Sequence, residues 1–224
     1  MKSAFLFDLN GTMIDDMACH TEVWFDLLNN KLNARMTLEE VKRHMYGRNE
    51  ELLVRLFGDR FSAEEMAHLS LEKEKHYQQL FLPHLKLLDG LSDFLDRAKQ
   101  EGIKLGIGTA AIPFNVDFVL DNLHIRNSFE AIVTADDVTE SKPHPEVYTK
   151  LAAQMNVNPE QCLVFEDSPK GVEAALEAGM QAVIVTTSHT GNEFDYLSNV
   201  VLVVKDFTDP RLQVTMPQND GKSS

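Results

Sequence analysis

The 224-residue sequence predicts a doubly wound α/β fold, a parallel sheet with helices on both faces, interrupted by one all-helical insert. Three observations carry this. Six apolar runs of strand length recur along the chain, with helix-patterned segments between the later ones. Their apolarity is continuous rather than alternating, as in strands buried on both faces of a parallel sheet. Between Asp15 and about Pro83 no strand-like run occurs at all.

The first run is Ala4–Leu9. The insert follows, and in it Met17, Trp24, Leu27 and Leu28 share a helical face, while Thr37 with Glu40 and Ser62 with Glu65 have the spacing of capping boxes that open further helices. The sheet resumes with Ile103–Thr109, Ala131–Ala135 and Cys162–Glu166, then Ala182–Val185 and Val200–Val204. Pro145 opens a helix through Tyr148, Leu151 and Met155, and Pro169 opens another with Gly179 just past its end. Strand and helix in repetition give the doubly wound core. The expected division is a core of residues 1–14 and 85–212, an all-helical domain of residues 15–84, and a frayed polar tail, 213–224.

Composition bounds the function. Hydrophobic residues are 43% and charged residues 25%, enough for a core without disulfides or structural metal. The 21 basic and 35 acidic side chains leave a net charge of −14, which repels nucleic acid and anionic membranes, so neither is an expected partner. A small anion is repelled as well, and a site for one needs its own cations, helix N-termini or metal. Two scattered cysteines, Cys19 and Cys162, build no disulfide framework or zinc site, and no run is long enough for a signal peptide or a spanning helix. The expected setting is cytoplasmic, the expected state a monomer or weak dimer.

Ligands of such sheets bind outside the carboxyl ends of the strands. The first run closes with Asp8-Leu9-Asn10-Gly11-Thr12, which alone reads equally as a turn. The second closes with Thr109-Ala110-Ala111, a hydroxyl and backbone N–H groups able to hold an oxyanion or simply to satisfy a loop. Glu140-Ser141-Lys142-Pro143 follows the third, and Phe165-Glu166-Asp167-Ser168 ends the fourth. Taken jointly, a carboxylate, a small hydroxyl, a lysine and paired acids at successive strand tips are the set that attack on phosphorus by a carboxylate needs. Carboxylates converging with oxygen donors suit Mg²⁺.

With these residues the chain resembles the haloacid dehalogenase-like superfamily, in its branch of β-phosphoglucomutase-like phosphatases, whose Rossmann-like core carries a small helical cap after the first strand. The resemblance implies Asp8 as nucleophile, Thr109 as the hydroxyl of the second motif and Lys142 as the phosphate-binding lysine. It implies Mg²⁺ held by Asp8, the carbonyl of Asn10 and chiefly Asp167, with Glu166 a direct or water-mediated ligand. Gly11, Thr12 and Ala110 then contribute to substrate binding. His20 matches a histidine of the mutase-like members, or packs at the base of the cap.

The family has a second Asp two residues after the nucleophile, general acid to the leaving oxygen and then base to water, where this chain has Asn10. An amide exchanges no proton at neutral pH, and acid–base help is typically worth about 10²–10⁴ in rate. Asn10 belongs either to a subgroup acting on good leaving groups or to an engineered change that traps substrate. Nucleophile, metal and lysine still act, because phosphoryl transfer rests mostly on positioning and electrostatics. Dehalogenases also lack that acid but do not need Glu166-Asp167, and the cap lysine of phosphonatases has only Lys42 as a counterpart, which reads as an exposed lysine.

The cap is expected to choose the substrate. Lys42 through Asn49 reads as a loop between two helices, with Arg48 either touching a second anionic or hydroxylated part of the substrate or solvated. β-Phosphoglucomutases have Lys just before this Gly and Arg three residues after it; here they are Tyr46 and Glu50. The expected activity is therefore Mg²⁺-dependent hydrolysis of a small phosphorylated metabolite, such as a sugar phosphate. A sugar-phosphate mutase is the first alternative, and a protein that binds phosphometabolites without turning them over the second.

Overall fold

The computed structural model describes residues 2–215. Six parallel strands form one sheet: β1 (Ala4–Phe7), β2 (Lys104–Gly108), β3 (Ala131–Val133), β4 (Cys162–Glu166), β5 (Gln181–Val185) and β6 (Val200–Val204). Their order is β3-β2-β1-β4-β5-β6. Central β1 is wholly buried and its side chains alternate between the faces. Phe5 and Phe7 enter one hydrophobic cluster, Ala4 and Leu6 the other. That double burial is why the run shows no polar alternation.

On the Phe5 face, Leu91–Gln100 forms a helix whose Leu91, Phe94, Leu95 and Ala98 recur at helical spacing and are buried. Phe94 stacks on Phe5 with ring centroids 5.5 Å apart, and Phe165 stacks on Phe7 at 4.7 Å. Such pairs are worth about 0.5–1.5 kcal/mol beyond their burial. Helix Glu146–Gln154 packs against β2 and β3, and Pro169–Glu177 against β4 and β5.

The strand-free stretch holds four α-helices: α1 (Met17–Asp26), α2 (Leu38–His44), α3 (Asn49–Phe57) and α4 (Ala63–Phe81). They enclose a separate hydrophobic cluster that includes Trp24, Leu28, Val41 and Leu53. Both expected capping boxes are formed, Thr37 with Glu40 and Ser62 with Glu65. The expected Lys42–Asn49 loop is shorter than the sequence suggested: α2 runs to His44 and α3 begins at Asn49. A further box, in which the Glu51 carboxylate accepts the backbone N–H of Arg48, starts α3 early.

β1 also ends two residues before the expected Leu9, because the chain leaves the ladder at Asp8 and turns at Gly11 with φ +77°. A side chain at Gly11 would also put Cβ 2.2 Å from the Asp167 carboxylate. At the other end, residues 210–215 form a 3₁₀ turn, so ordered chain extends beyond the expected limit of 212. The expected frayed tail otherwise lies outside the described residues. Among the described residues, no helix is long and apolar enough to cross a membrane.

Candidate active site

The strand order reverses between β1 and β4, so a crevice opens outside their carboxyl ends. Asp8 stands at the tip of β1 and Glu166 with Asp167 at the tip of β4. All three are buried, with one carboxylate oxygen from each within 4.8 Å of the others. Lys142 reaches in from the loop after β3. Its ammonium lies 2.6 Å from Asp8 Oδ1, 2.7 Å from Glu166 Oε1 and 3.0 Å from the Gly108 carbonyl.

Three buried carboxylates against one lysine leave a surplus of negative charge. Burial pushes the Asp8 carboxyl up to about 7, with Lys142 pulling the other way. Burial and then the neighbouring Glu166 and Asp8 raise Asp167. A divalent cation relieves this strain, so the donor set fits Mg²⁺.

The acids differ in how much of each is free. Glu166 is saturated: Lys142 and the Tyr148 hydroxyl, at 2.9 Å, bond Oε1, while the Asp167 and Ser168 N–H groups and the Ser168 hydroxyl each bond Oε2 at 3.0 Å. Gly171 is obligatory beside it, since a Cβ there would fall 1.7 Å from Oε1. Asp167 keeps more capacity, with Thr12 Oγ1 donating to its Oδ1 at 3.2 Å.

These groups floor a cavity of about 370 Å³ roofed by the inserted helices. Asp8, Asn10, Thr109, Ala110 and Lys142 line it, as do His20, Arg48, Glu166 and Asp167. Gly11 and Thr12 do not. Thr12 is fully buried with its hydroxyl on Asp167, and Gly11 shapes the turn and donates its N–H to Asp16 Oδ1 at 3.1 Å. Thr109 Oγ1 accepts the Ala111 N–H at 3.1 Å, leaving its own proton to donate.

Several participants escaped the sequence reading. Lys73 and Glu74 of α4 form a buried ion pair at 3.0 Å in the cavity wall. Lys73 Nζ lies 2.6 Å from His20 Nδ1, and Glu74 accepts Asn49 and Asn115, each at 2.6 Å. Asp16, just before α1, accepts the Tyr77 hydroxyl at 2.6 Å. The Lys-Glu pair was findable as two adjacent charges in a helix, but that is also how a solvated face reads.

A haloacid dehalogenase-like hydrolase model matches residues 5–185. The chain is 29% identical over 211 residues to a validoxylamine A 7′-phosphate phosphatase of Streptomyces hygroscopicus subsp. limoneus, covering 94% of this chain and 97% of that protein. It is also 29% identical to the β-phosphoglucomutase of Bacillus subtilis (strain 168), over 80% and 81% of the two chains. The crystal structure of the Clostridium difficile β-phosphoglucomutase superposes with TM-score 0.82 at 29% identity, covering 96% of each chain. Fold, strand-tip acids and these likenesses agree, and the chain belongs to the haloacid dehalogenase-like hydrolases, among their β-phosphoglucomutase-like members.

Proposed function

We propose that this protein is a Mg²⁺-dependent phosphohydrolase of small phosphorylated metabolites, acting through an aspartyl-phosphate on Asp8, with residues 15–84 serving as a cap domain over the core. The observation that supports it best is Lys142 held between Asp8 and Glu166, with Asp167 adjoining. Asp8, Asp167 and the Asn10 carbonyl would hold magnesium, which would supply positive charge to the phosphoryl oxygens. Glu166, its oxygens committed to Lys142, Tyr148 and the α-helix start at Ser168, orients the lysine.

Lys142 and the Thr109 hydroxyl hold the remaining phosphoryl oxygens. An Asp8 carboxylate oxygen then attacks phosphorus and the bond to the leaving oxygen breaks. That oxygen departs without a proton from Asn10, and water later cleaves the acyl phosphate without a base at that position. Relatives that act on phosphorylated metabolites include the validoxylamine phosphatase and a hexitol phosphatase of Escherichia coli O157:H7. The test is phosphate release from a metabolite panel with Mg²⁺ and with EDTA: release confined to the Mg²⁺ arm is expected, and an isomeric phosphate ester in place of free phosphate would mark a mutase.

A further inference from the structure

We propose that Glu51 determines specificity: by neutralising Arg48 it selects a phosphomonoester whose leaving group is neutral and hydroxylated over one bearing a second phosphate. The proposal rests on the phosphohydrolase reading of this cavity and narrows its substrate.

Four cationic side chains that are not fully exposed line the cavity, and each is already matched. Lys142 serves the transferred phosphoryl group between Asp8 and Glu166. Lys73, 2% exposed, is paired with Glu74. Lys170 is paired with Glu173 at 2.8 Å, and Arg48 lines the wall just before α3. Its Nε lies 3.1 Å from Glu51 Oε1, and its Nη2 donates to the Thr139 carbonyl of the core at 3.1 Å.

Glu51 is fixed in turn from both domains. Oε1 also accepts the Ser141 hydroxyl of the core at 2.8 Å, and Oε2 accepts the Arg48 backbone N–H at 3.0 Å. Partial burial works against the charge, but these bonds hold the Glu51 carboxyl below the usual range, so it stays ionised. Arg48 is thereby spent on joining the cap to the loop that carries Lys142.

A second phosphate approaching Arg48 meets a cation whose Nε is already paired with the Glu51 carboxylate, and the Glu74 carboxylate lines the wall, so like-charge juxtaposition selects against it. Lys42 and Arg43 line only the exposed part of the wall, where solvent and salt screen them. At Tyr46, the position before the cap Gly, the ring is covered by the Arg55 guanidinium at 3.6 Å and offers no cation. What the wall does offer is the Asn49 amide beside apolar Met45 and Leu52, a surface for a carbon skeleton with hydroxyls.

The experiment compares fructose 6-phosphate with fructose 1,6-bisphosphate on the full chain in Mg²⁺. Affinities are read as inhibition constants against p-nitrophenyl phosphate hydrolysis, or by calorimetry if that ester is not hydrolysed. Wild type should prefer the monophosphate by at least about fivefold, and Glu51→Gln, which frees Arg48, should move the ratio at least about threefold towards the bisphosphate. Arg48→Met should shift it by less than about twofold, because a neutralised cation contributes little to the choice.

Equal or tighter wild-type binding of the bisphosphate, or binding of neither compound, overturns the proposal. So does an unmoved ratio in a Glu51→Gln protein that still binds the monophosphate. Should that variant not fold, Arg48→Met decides, since a roughly tenfold selective loss of bisphosphate affinity would show Arg48 gripping the second phosphate. Turnover of p-nitrophenyl phosphate without the preference leaves the hydrolase reading standing, and preference in binding without turnover defeats that reading alone.

Discussion

The side-chain nitrogen of Asn10 lies 2.5 Å from Oδ2 of Asp16, a carboxylate 1% exposed. Tyr77 donates to the same oxygen and the Gly11 N–H to the other. Burial opposes the charge, but bonds from His20, Tyr77 and Asn10 keep the Asp16 carboxyl below its ordinary range. The Asn10 amide is thus tied to a buried carboxylate six residues on. The tie also fixes the amide orientation, since nitrogen and not oxygen must face an anion. His20, stacked on Tyr77 at 3.9 Å, places Nδ1 2.6 Å from Lys73 Nζ and Nε2 3.3 Å from Asp16 Oδ2.

Asp8→Asn should abolish phosphate release while the protein stays folded. An amide is a poor nucleophile and a weaker ligand for Mg²⁺ than a carboxylate. Circular dichroism with a phosphate-release assay checks both halves, and wild-type turnover in the purified variant would refute the covalent mechanism.

Asp167→Ala should raise the Mg²⁺ concentration needed for half-maximal activity by at least about tenfold, in line with the cost of losing a metal-site partner. Its carboxylate is the less committed of the two β4 acids, with Thr12 as a hydrogen-bond partner. An unchanged metal titration would take Asp167 out of the site.

Glu74 predicts an acid-sensitive cap. Burial alone would raise its carboxyl, yet Lys73 and the Asn49 and Asn115 amides hold it at about 2 against an ordinary 4.5. The folded value is depressed, so its stabilisation is present above about 4.5 and is lost as pH falls towards 2, in total roughly 3 kcal/mol. Glu74→Gln should therefore be less stable at pH 7, where Lys73 is left unpaired, and the gap should close between pH 5 and 2. Urea midpoints of both proteins across that range test it, and a constant gap would show that the pair does not supply the pH dependence.

Much of this could be read from the residues in order. Cys162–Glu166 and Val200–Val204 are strands over those very residues, because apolar runs bounded by turn formers have little other use. The strand-tip acids, Thr109 and Lys142 converge because parallel topology puts every carboxyl end on one side. Arg48 was visible as a cap cation, but its pairing with Glu51 and its bond to Thr139, 91 residues away, were not. Nor was the Asn10–Asp16–His20–Lys73 chain, whose members sit on the loop after β1, at the start of α1, within α1 and on α4. Periodicity reports which face a residue is on; it carries no information about partners brought together by tertiary packing.

Asn10→Asp bears most directly on mechanism. The new carboxyl would sit about as close to Asp16 as the amide does, and two carboxylates at that separation do not both ionise, so the pair retains a proton for the leaving oxygen. The gain should scale with how much that oxygen needs it. Alkyl esters such as sugar phosphates should be hydrolysed at least about tenfold faster, towards the 10²–10⁴ typical of acid–base help, while p-nitrophenyl phosphate, whose leaving group departs as an anion, gains less. Water attack on the aspartyl-phosphate needs a base too, so phosphoenzyme should accumulate in the wild type and disappear in the variant. Rapid-quench trapping and steady-state rates on both ester classes measure this. No gain on any alkyl ester would mean that the proton already comes from elsewhere, and His20, with Nε2 3.2 Å from the Asn10 amide nitrogen, would be the next residue to replace.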